Sequence, residues 1–195
     1  MGNLQDFNIA DIQKQYNLSY FVETGTLYGE TLDYVKQFGF DKLFSMEIMP
    51  SLYESCVQKY KEEQNISIYL GDTSKDLGKL ISDIPLKQGV LFWLDAHFPG
   101  AEGCGLPYGF CADTDQRIPL ERELEQIKDS RKIDKDYFII DDLRVYEDGD
   151  FQDGSWSDRP SLGGEGISFI ESFFKDTHTI HKDYRNQGYI LGVPK

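Results

Sequence analysis

The sequence predicts an α/β fold, a layered and mostly parallel sheet finished by an antiparallel hairpin, from three observations. Strand-like runs alternate with helix-like runs along most of the chain. The strand-like runs are apolar on both faces, as strands buried between helices should be. The last two runs are separated only by Arg185, Asn186 and Gln187, too few residues for the crossover that a parallel pair needs.

The strands are expected at SYFVE (19–23), KLFSME (42–47), ISIYL (66–70), VLFWLD (90–95) and YFIID (137–141). Between them, Leu32, Val35 and Phe38 share a helical face, as do Leu52, Cys56 and Tyr60. Leu77, Leu80, Ile81 and Ile84 follow the i, i+3, i+4, i+7 spacing, and Leu120, Leu124 and Ile127 nearly do, with Pro119 as the first residue of that helix. GISFIESFF (166–174) reads as a last helix, and THTIHKDY (177–184) and GYILGVP (188–194) as the hairpin. Such alternation predicts right-handed crossovers. The 195 residues suit one domain spanning 1–195, with no repeat and no low-complexity linker.

Aromatics at 14% mark a folded chain rather than a disordered one. No run approaches the ~20 apolar residues of a membrane span, and the first sixteen residues lack the basic start and apolar stretch of a signal peptide. Asp6 breaks the myristoylation pattern. A cytoplasmic protein is expected, with no membrane partner. A formal charge of −14 repels a phosphate backbone, which argues against a nucleic-acid partner. Cys56, Cys104 and Cys111 make neither a disulfide framework nor a CxxC zinc site; plain thiols are expected, with a local bridge or metal role for Cys104 and Cys111 as the alternative.

The first strand runs into FVETGTLYGETL (21–32). A P-loop is excluded, because Gly25 and Gly29 are too close together and Glu30 stands where a lysine would meet phosphate. The dinucleotide fingerprint fails at Leu27. What remains is Glu23 at the strand end followed by G-x-x-x-G. A carboxylate there suits a ligand with an amino group, and the glycines allow close approach to the backbone. The next strand ends in Glu47, placed to accept from ribose hydroxyls. The third is followed by Asp72, placed to accept from an adenine amino group. Three acids at successive strand ends call for a nucleoside with a cationic, amino-acid-like tail and no phosphate. The bland alternative is ordinary strand-end turns with solvated acids.

VETGTLYGETL, SMEI, YLGDTS, FWLDAH and the terminal hairpin resemble the class I S-adenosylmethionine-dependent methyltransferases over nearly the whole chain. The resemblance implies a Rossmann-like, doubly wound sheet of seven strands in the order 3-2-1-4-5-7-6. It also implies S-adenosyl-L-methionine as cofactor, with Glu23, Gly25, Thr26, Gly29, Glu47, Asp72 and Asp95 as contacts.

Asp95 and the pair Asp141 and Asp142 end the fourth and fifth strands. If those strands are neighbours, about 4.8 Å apart, the three carboxylates converge and repel unless a cation joins them. Hard oxygen ligands suit Mg²⁺, or Ca²⁺ or Mn²⁺. The set resembles the metal-dependent O-methyltransferases of the catechol type and of the macrolide and aminocoumarin sugar type, which implies Asp95, Asp141 and Asp142 as metal ligands. The alternative is that Asp142 caps a turn and Asp95 meets the cofactor alone. His97 is the candidate general base, with Asp95 beside it in the catalytic set. The catechol type has a nearby lysine, whereas here none follows before Lys128. His178 and His181 are given no role.

The segments 98–118 and 147–166 are long and glycine-rich, and are expected to rise over the site as substrate walls, with Tyr108, Phe110, Trp156 and Arg159 as contacts. The function expected is metal-assisted O-methylation of a small molecule or sugar, by a chain for which a homodimer is admitted. Two alternatives stand: a protein that binds S-adenosylmethionine without transferring its methyl, or a metal-dependent hydrolase or phosphoryl-transfer enzyme. The latter lacks a phosphate-binding cluster, Arg144 and Arg159 being its only near candidates.

Overall fold

A computed structural model of the chain describes residues 2–97, 114–154 and 166–195. Its elements run α1 (Ile9–Tyr16), β1 (Leu18–Thr24), α2 (Glu30–Val35), β2 (Lys42–Glu47), α3 (Pro50–Lys59), β3 (Ile66–Leu70), α4 (Thr73–Ile81), β4 (Gly89–Leu94), α5 (Thr114–Arg117), α6 (Leu120–Ser130), β5 (Tyr137–Ile140), α7 (Ser168–Phe174), β6 (His178–Asp183) and β7 (Tyr189–Pro194). The sheet order is β3-β2-β1-β4-β5-β7-β6. The first five strands pair in parallel, and β7 runs antiparallel to both β5 and β6.

Side chains alternate across the strands, so consecutive apolar residues feed two cores. Val22, Phe44, Phe92 and Phe138 pack on one face beneath α4, α6 and α7. Phe21, Leu43, Leu91 and Ile139 pack on the other beneath α1, α2 and α3. This is why the strands read as unbroken apolar runs rather than as alternating ones. The helical faces inferred from spacing are the buried ones: Leu32 and Val35; Leu52 and Cys56; Leu77, Leu80 and Ile81; Leu120, Leu124 and Ile127. Among the described residues no helix is long and apolar enough to cross a membrane.

Four local features depart from the sequence reading or were not part of it. α1 carries one buried apolar residue, Ile9, and its polar surface hides it from a periodicity argument. Pro119 is the N-cap of α6 rather than its first residue, a one-position difference of the kind helix ends commonly show. The segment expected as loop over 98–118 ends earlier, because Thr114–Arg117 forms α5 and Ile118 is buried. Within 147–166, Phe151 is buried and its ring packs tilted against Tyr184, the centroids 5.2 Å apart. Tyr108, Phe110, Trp156, Arg159, Cys104 and Cys111 lie outside the described residues; Cys56 is a buried free thiol.

Candidate functional site

The parallel register brings the candidate residues together. Thr24 of β1 stands level with Leu94 of β4, and Leu94 with Ile140 of β5. The next residues in each chain segment, Gly25, Asp95 and Asp141, therefore leave the sheet side by side. One cavity of about 440 Å³ opens at this carboxyl end, within the size range of small-molecule sites. Gly25, Thr26, Glu47, Asp72, Asp95, His97, Asp141 and Asp142 all line it.

The glycine turn is shaped by two close approaches. Gly25 has φ +83°, and a Cβ there would lie 2.9 Å from the Asp95 carbonyl oxygen. Gly29, at φ +75°, is the N-cap of α2, and a Cβ there would meet the Tyr60 hydroxyl at 2.6 Å. Between them Leu27 also adopts a left-handed conformation, φ +50°, uncommon for a branched side chain. That turn aims the Leu27 N–H at Glu47 Oε2, 2.9 Å away, while the Met49 N–H meets Oε1 at 2.8 Å. Burial raises the Glu47 pKa, and these backbone donors oppose the rise. Each oxygen keeps a lone pair beyond the one the backbone uses, so Glu47 is held rigid while able to accept again.

Of the expected contacts, Gly29 and Glu23 are not part of the cavity wall. Glu23 is buried at 1% exposure. Ser45 Oγ donates to its Oε2 at 2.7 Å, and the Thr26 hydroxyl meets Ser45 Oγ at 2.6 Å. Burial pushes its pKa up to about 8 against the hydrogen bonds from Ser45 and Thr31. Glu23 therefore stands behind the glycine turn, bonded to Ser45, and not on the cavity wall. Sequence placed it at a strand end, but only side-chain direction reveals that it faces inward.

Asp72 lines the cavity with both oxygens engaged. Oδ1 accepts from Ser74 N and Oγ at 3.0 and 2.6 Å, capping α4. Oδ2 accepts from Lys75 Nζ at 2.9 Å and Gln116 Nε2 at 3.0 Å. Burial raises its pKa, and these donors more than offset that, so it stays ionised. Gln116, on the short helix α5, had no signal in the sequence.

At the other end, Asp95 and Asp141 are neighbours, and burial followed by repulsion from Asp141 and Asp142 raises the Asp95 pKa. Asp141 is pushed up to about 7 by burial and by the Asp142 charge. Its Oδ2 accepts from the Gly2 N–H at 2.9 Å, while its Oδ1 has no hydrogen bond. Asp142 has φ +58°, a left-handed position that Asp tolerates. Its Oδ1 forms a 3.4 Å ion pair with Arg144 Nε but no hydrogen bond. The donor chemistry and the two buried, unbonded oxygens suit a divalent cation. Among the described residues, however, no three His, Cys, Asp or Glu side chains are arranged so as to hold one.

His97 lies beside this cluster, its Nε2 2.8 Å from the Tyr146 hydroxyl. Burial lowers its pKa, against the pull of Asp142, so the imidazole is neutral at neutral pH. Tyr146 is buried, and its pKa is held well above the usual phenol value by burial and nearby carboxylates. Residues that spacing missed include Gln116, Gln187 and the stretch Gly2–Gln5, which line the cavity, and Tyr146, which meets His97. They reach the site through tertiary contacts rather than from strand ends.

No protein-family model matches the sequence, and no curated protein matches it. Among solved structures, the chain resembles a Staphylococcus aureus protein assigned as a caffeoyl-CoA O-methyltransferase, at 13% identity and a TM-score of 0.65, over 100% of this chain and 85% of that one. It also resembles the Podospora anserina methyltransferase PaMTH1, solved with S-adenosylhomocysteine, at 14% identity and 0.64, over 100% and 80%. A third is the O-methyltransferase TomG from Streptomyces achromogenes, solved with S-adenosylmethionine, at 14% and 0.56, over 100% and 81%. The chain has the fold of the class I S-adenosylmethionine-dependent methyltransferases.

Proposed function

We propose that this chain transfers the methyl group of S-adenosylmethionine to a hydroxyl of a small molecule or sugar, with a divalent cation held by Asp95, Asp141 and Asp142. The observation that carries the reading is the register at Thr24, Leu94 and Ile140, which sets the glycine turn beside the acidic cluster in one cavity. Glu47, fixed by two backbone N–H groups, accepts from the ribose hydroxyls. Gly25, at the cavity wall, lets the methionine portion lie against the backbone. With Glu23 buried, Asp95, which leaves β4 beside Gly25 at the cavity wall, meets its amino group.

What supports the cation is the pair of unbonded, buried oxygens on Asp141 and Asp142. A bound divalent cation supplies a Lewis acid that lowers the acceptor hydroxyl's pKa. The chain's own residues orient the acceptor at the acidic end, and neutral His97, braced by Tyr146, accepts the hydroxyl proton at a ring nitrogen.

Titration with S-adenosylhomocysteine, followed by labelled-methyl transfer to hydroxylated acceptors with Mg²⁺ and with EDTA, tests the proposal. Cofactor binding with Mg²⁺-dependent labelling of a hydroxyl is expected. Binding without labelling of any acceptor would leave a binder, and equal labelling in EDTA would remove the cation.

A further inference from the structure

We propose that residues 2–5 form the cavity wall that selects the acceptor, with Gly2 as the positioning residue for Asp141. This rests on the reading that the acidic end of the cavity receives the acceptor. Gly2, Asn3, Leu4 and Gln5 line the same cavity as Asp141, Asp142 and Gln187. The Gly2 N–H donates to Asp141 Oδ2, and a Cβ on Gly2 would lie 2.2 Å from the Asp141 carboxyl carbon. Only glycine lets the backbone rest on that carboxylate.

The stretch is anchored independently of that bond. Asn3 N–H donates to the Tyr189 hydroxyl at 3.0 Å, and Asn3 Oδ1 accepts from Gln5 N–H at 3.0 Å. Leu4 is buried, and the Phe7 ring packs edge-on against Tyr189 with centroids 5.0 Å apart. Asn186 Nδ2 donates to Asp6 Oδ2 at 2.7 Å, and the Arg185 guanidinium lies 5.5 Å from the Phe7 ring centre. These partners come from the β6–β7 hairpin, 180 residues away in the case of Asp6 and Asn186. The hairpin thus holds the stretch across the acidic end.

Two consequences follow for the acceptor. The Gly2 amide occupies one Asp141 oxygen and leaves the other without a hydrogen bond, which fixes how that carboxylate faces the cavity. Gln5 and Gln187 bring carboxamides to the wall. These suit the neighbouring hydroxyls of a polyol or sugar.

Gly2→Ala and Gln5→Ala in the full chain test this, with methyl glucoside and 4-methylcatechol as acceptor probes. Gly2→Ala should speed amide exchange over residues 3–7 by about tenfold or more, with S-adenosylhomocysteine affinity within about twofold of the parent. Both variants should shift the ratio of kcat/KM between the two probes by about fivefold, with the KM for S-adenosylmethionine held within about twofold. Unchanged exchange and an unchanged ratio would overturn the proposal, as would a cofactor KM that rises with the acceptor's. A parent that methylates neither probe counts against the choice of acceptor or the transfer reading. The exchange arm then decides the placement of the wall, and parental protection in Gly2→Ala overturns it.

Discussion

The Leu27 amide, in a left-handed turn, lies 2.9 Å from Glu47 Oε2 and fixes the carboxylate proposed to hold the cofactor's ribose. Replacing Glu47 by Ala removes charge-assisted hydrogen bonds worth about 1.5–3 kcal/mol. Binding of S-adenosylhomocysteine should weaken by roughly 10- to 150-fold, measured by calorimetry on a protein shown to be folded. Parental affinity would take Glu47 out of the site.

Gly25 and Gly39 separate a backbone penalty from a contact. Both have positive φ, +83° and +74°, but a Cβ at Gly25 meets the Asp95 carbonyl whereas one at Gly39 meets nothing within 4 Å. Gly39→Ala should lose about 1–2 kcal/mol of stability and keep cofactor affinity. Gly25→Ala should lose more and bind the cofactor poorly, because the turn and the Asp95 peptide must separate. Equal denaturation midpoints and equal affinities for the two variants would contradict this.

Glu23 should make the protein less stable as pH rises. Its folded pKa, about 8, exceeds the ordinary value of 4.5, so between those values the folded state holds a proton that the unfolded state has lost. The stabilisation is complete below about pH 4.5 and is lost as pH rises towards 8, at up to about 1.4 kcal/mol per unit. Glu123 at about 7 and Asp136 at about 6 bend the curve the same way. The parent-minus-variant difference for Glu23→Gln isolates Glu23. Urea midpoints of parent and variant should converge or cross as pH goes from 5 to 8.5. Parallel curves would mean Glu23 is ionised in the fold.

Asp141→Asn and Asp142→Asn should retain cofactor binding, since they leave the proposed contacts Gly25, Glu47 and Asp95 in place. Metal-stimulated turnover should fall by more than the roughly 10–100-fold that losing an outer-shell partner costs a metal site. EDTA should reproduce the loss in the parent and added Mg²⁺ reverse it. Turnover in either variant that still responds to Mg²⁺ as the parent does would dismiss the carboxylate pair as ligands.

Tyr146→Phe should leave cofactor affinity unchanged and lower turnover by about tenfold, since the imidazole of His97 loses the 2.8 Å bond that orients it. Rates equal to the parent's across pH would argue that His97 moves no proton.

The sequence by itself determined the architecture. Strand runs apolar on both faces require two helical layers, and a three-residue link between the last two runs forces an antiparallel pair. It also located Gly25, Glu47, Asp95, Asp141 and Asp142, because strand ends of a parallel sheet meet at one edge whatever the details of packing. Tertiary structure decided what side-chain direction and long-range contact control. Glu23 turns inward to Ser45 although it ends a strand like Glu47 does. Asp72 spends its oxygens on Ser74, Lys75 and Gln116. The stretch ahead of α1 carries no periodic signal, and it reaches Asp141 only because the distant hairpin at Asn186 and Tyr189 holds it there. Local pattern encodes where a residue leaves its strand, but the partner that fixes its charge and direction comes from elsewhere in the chain.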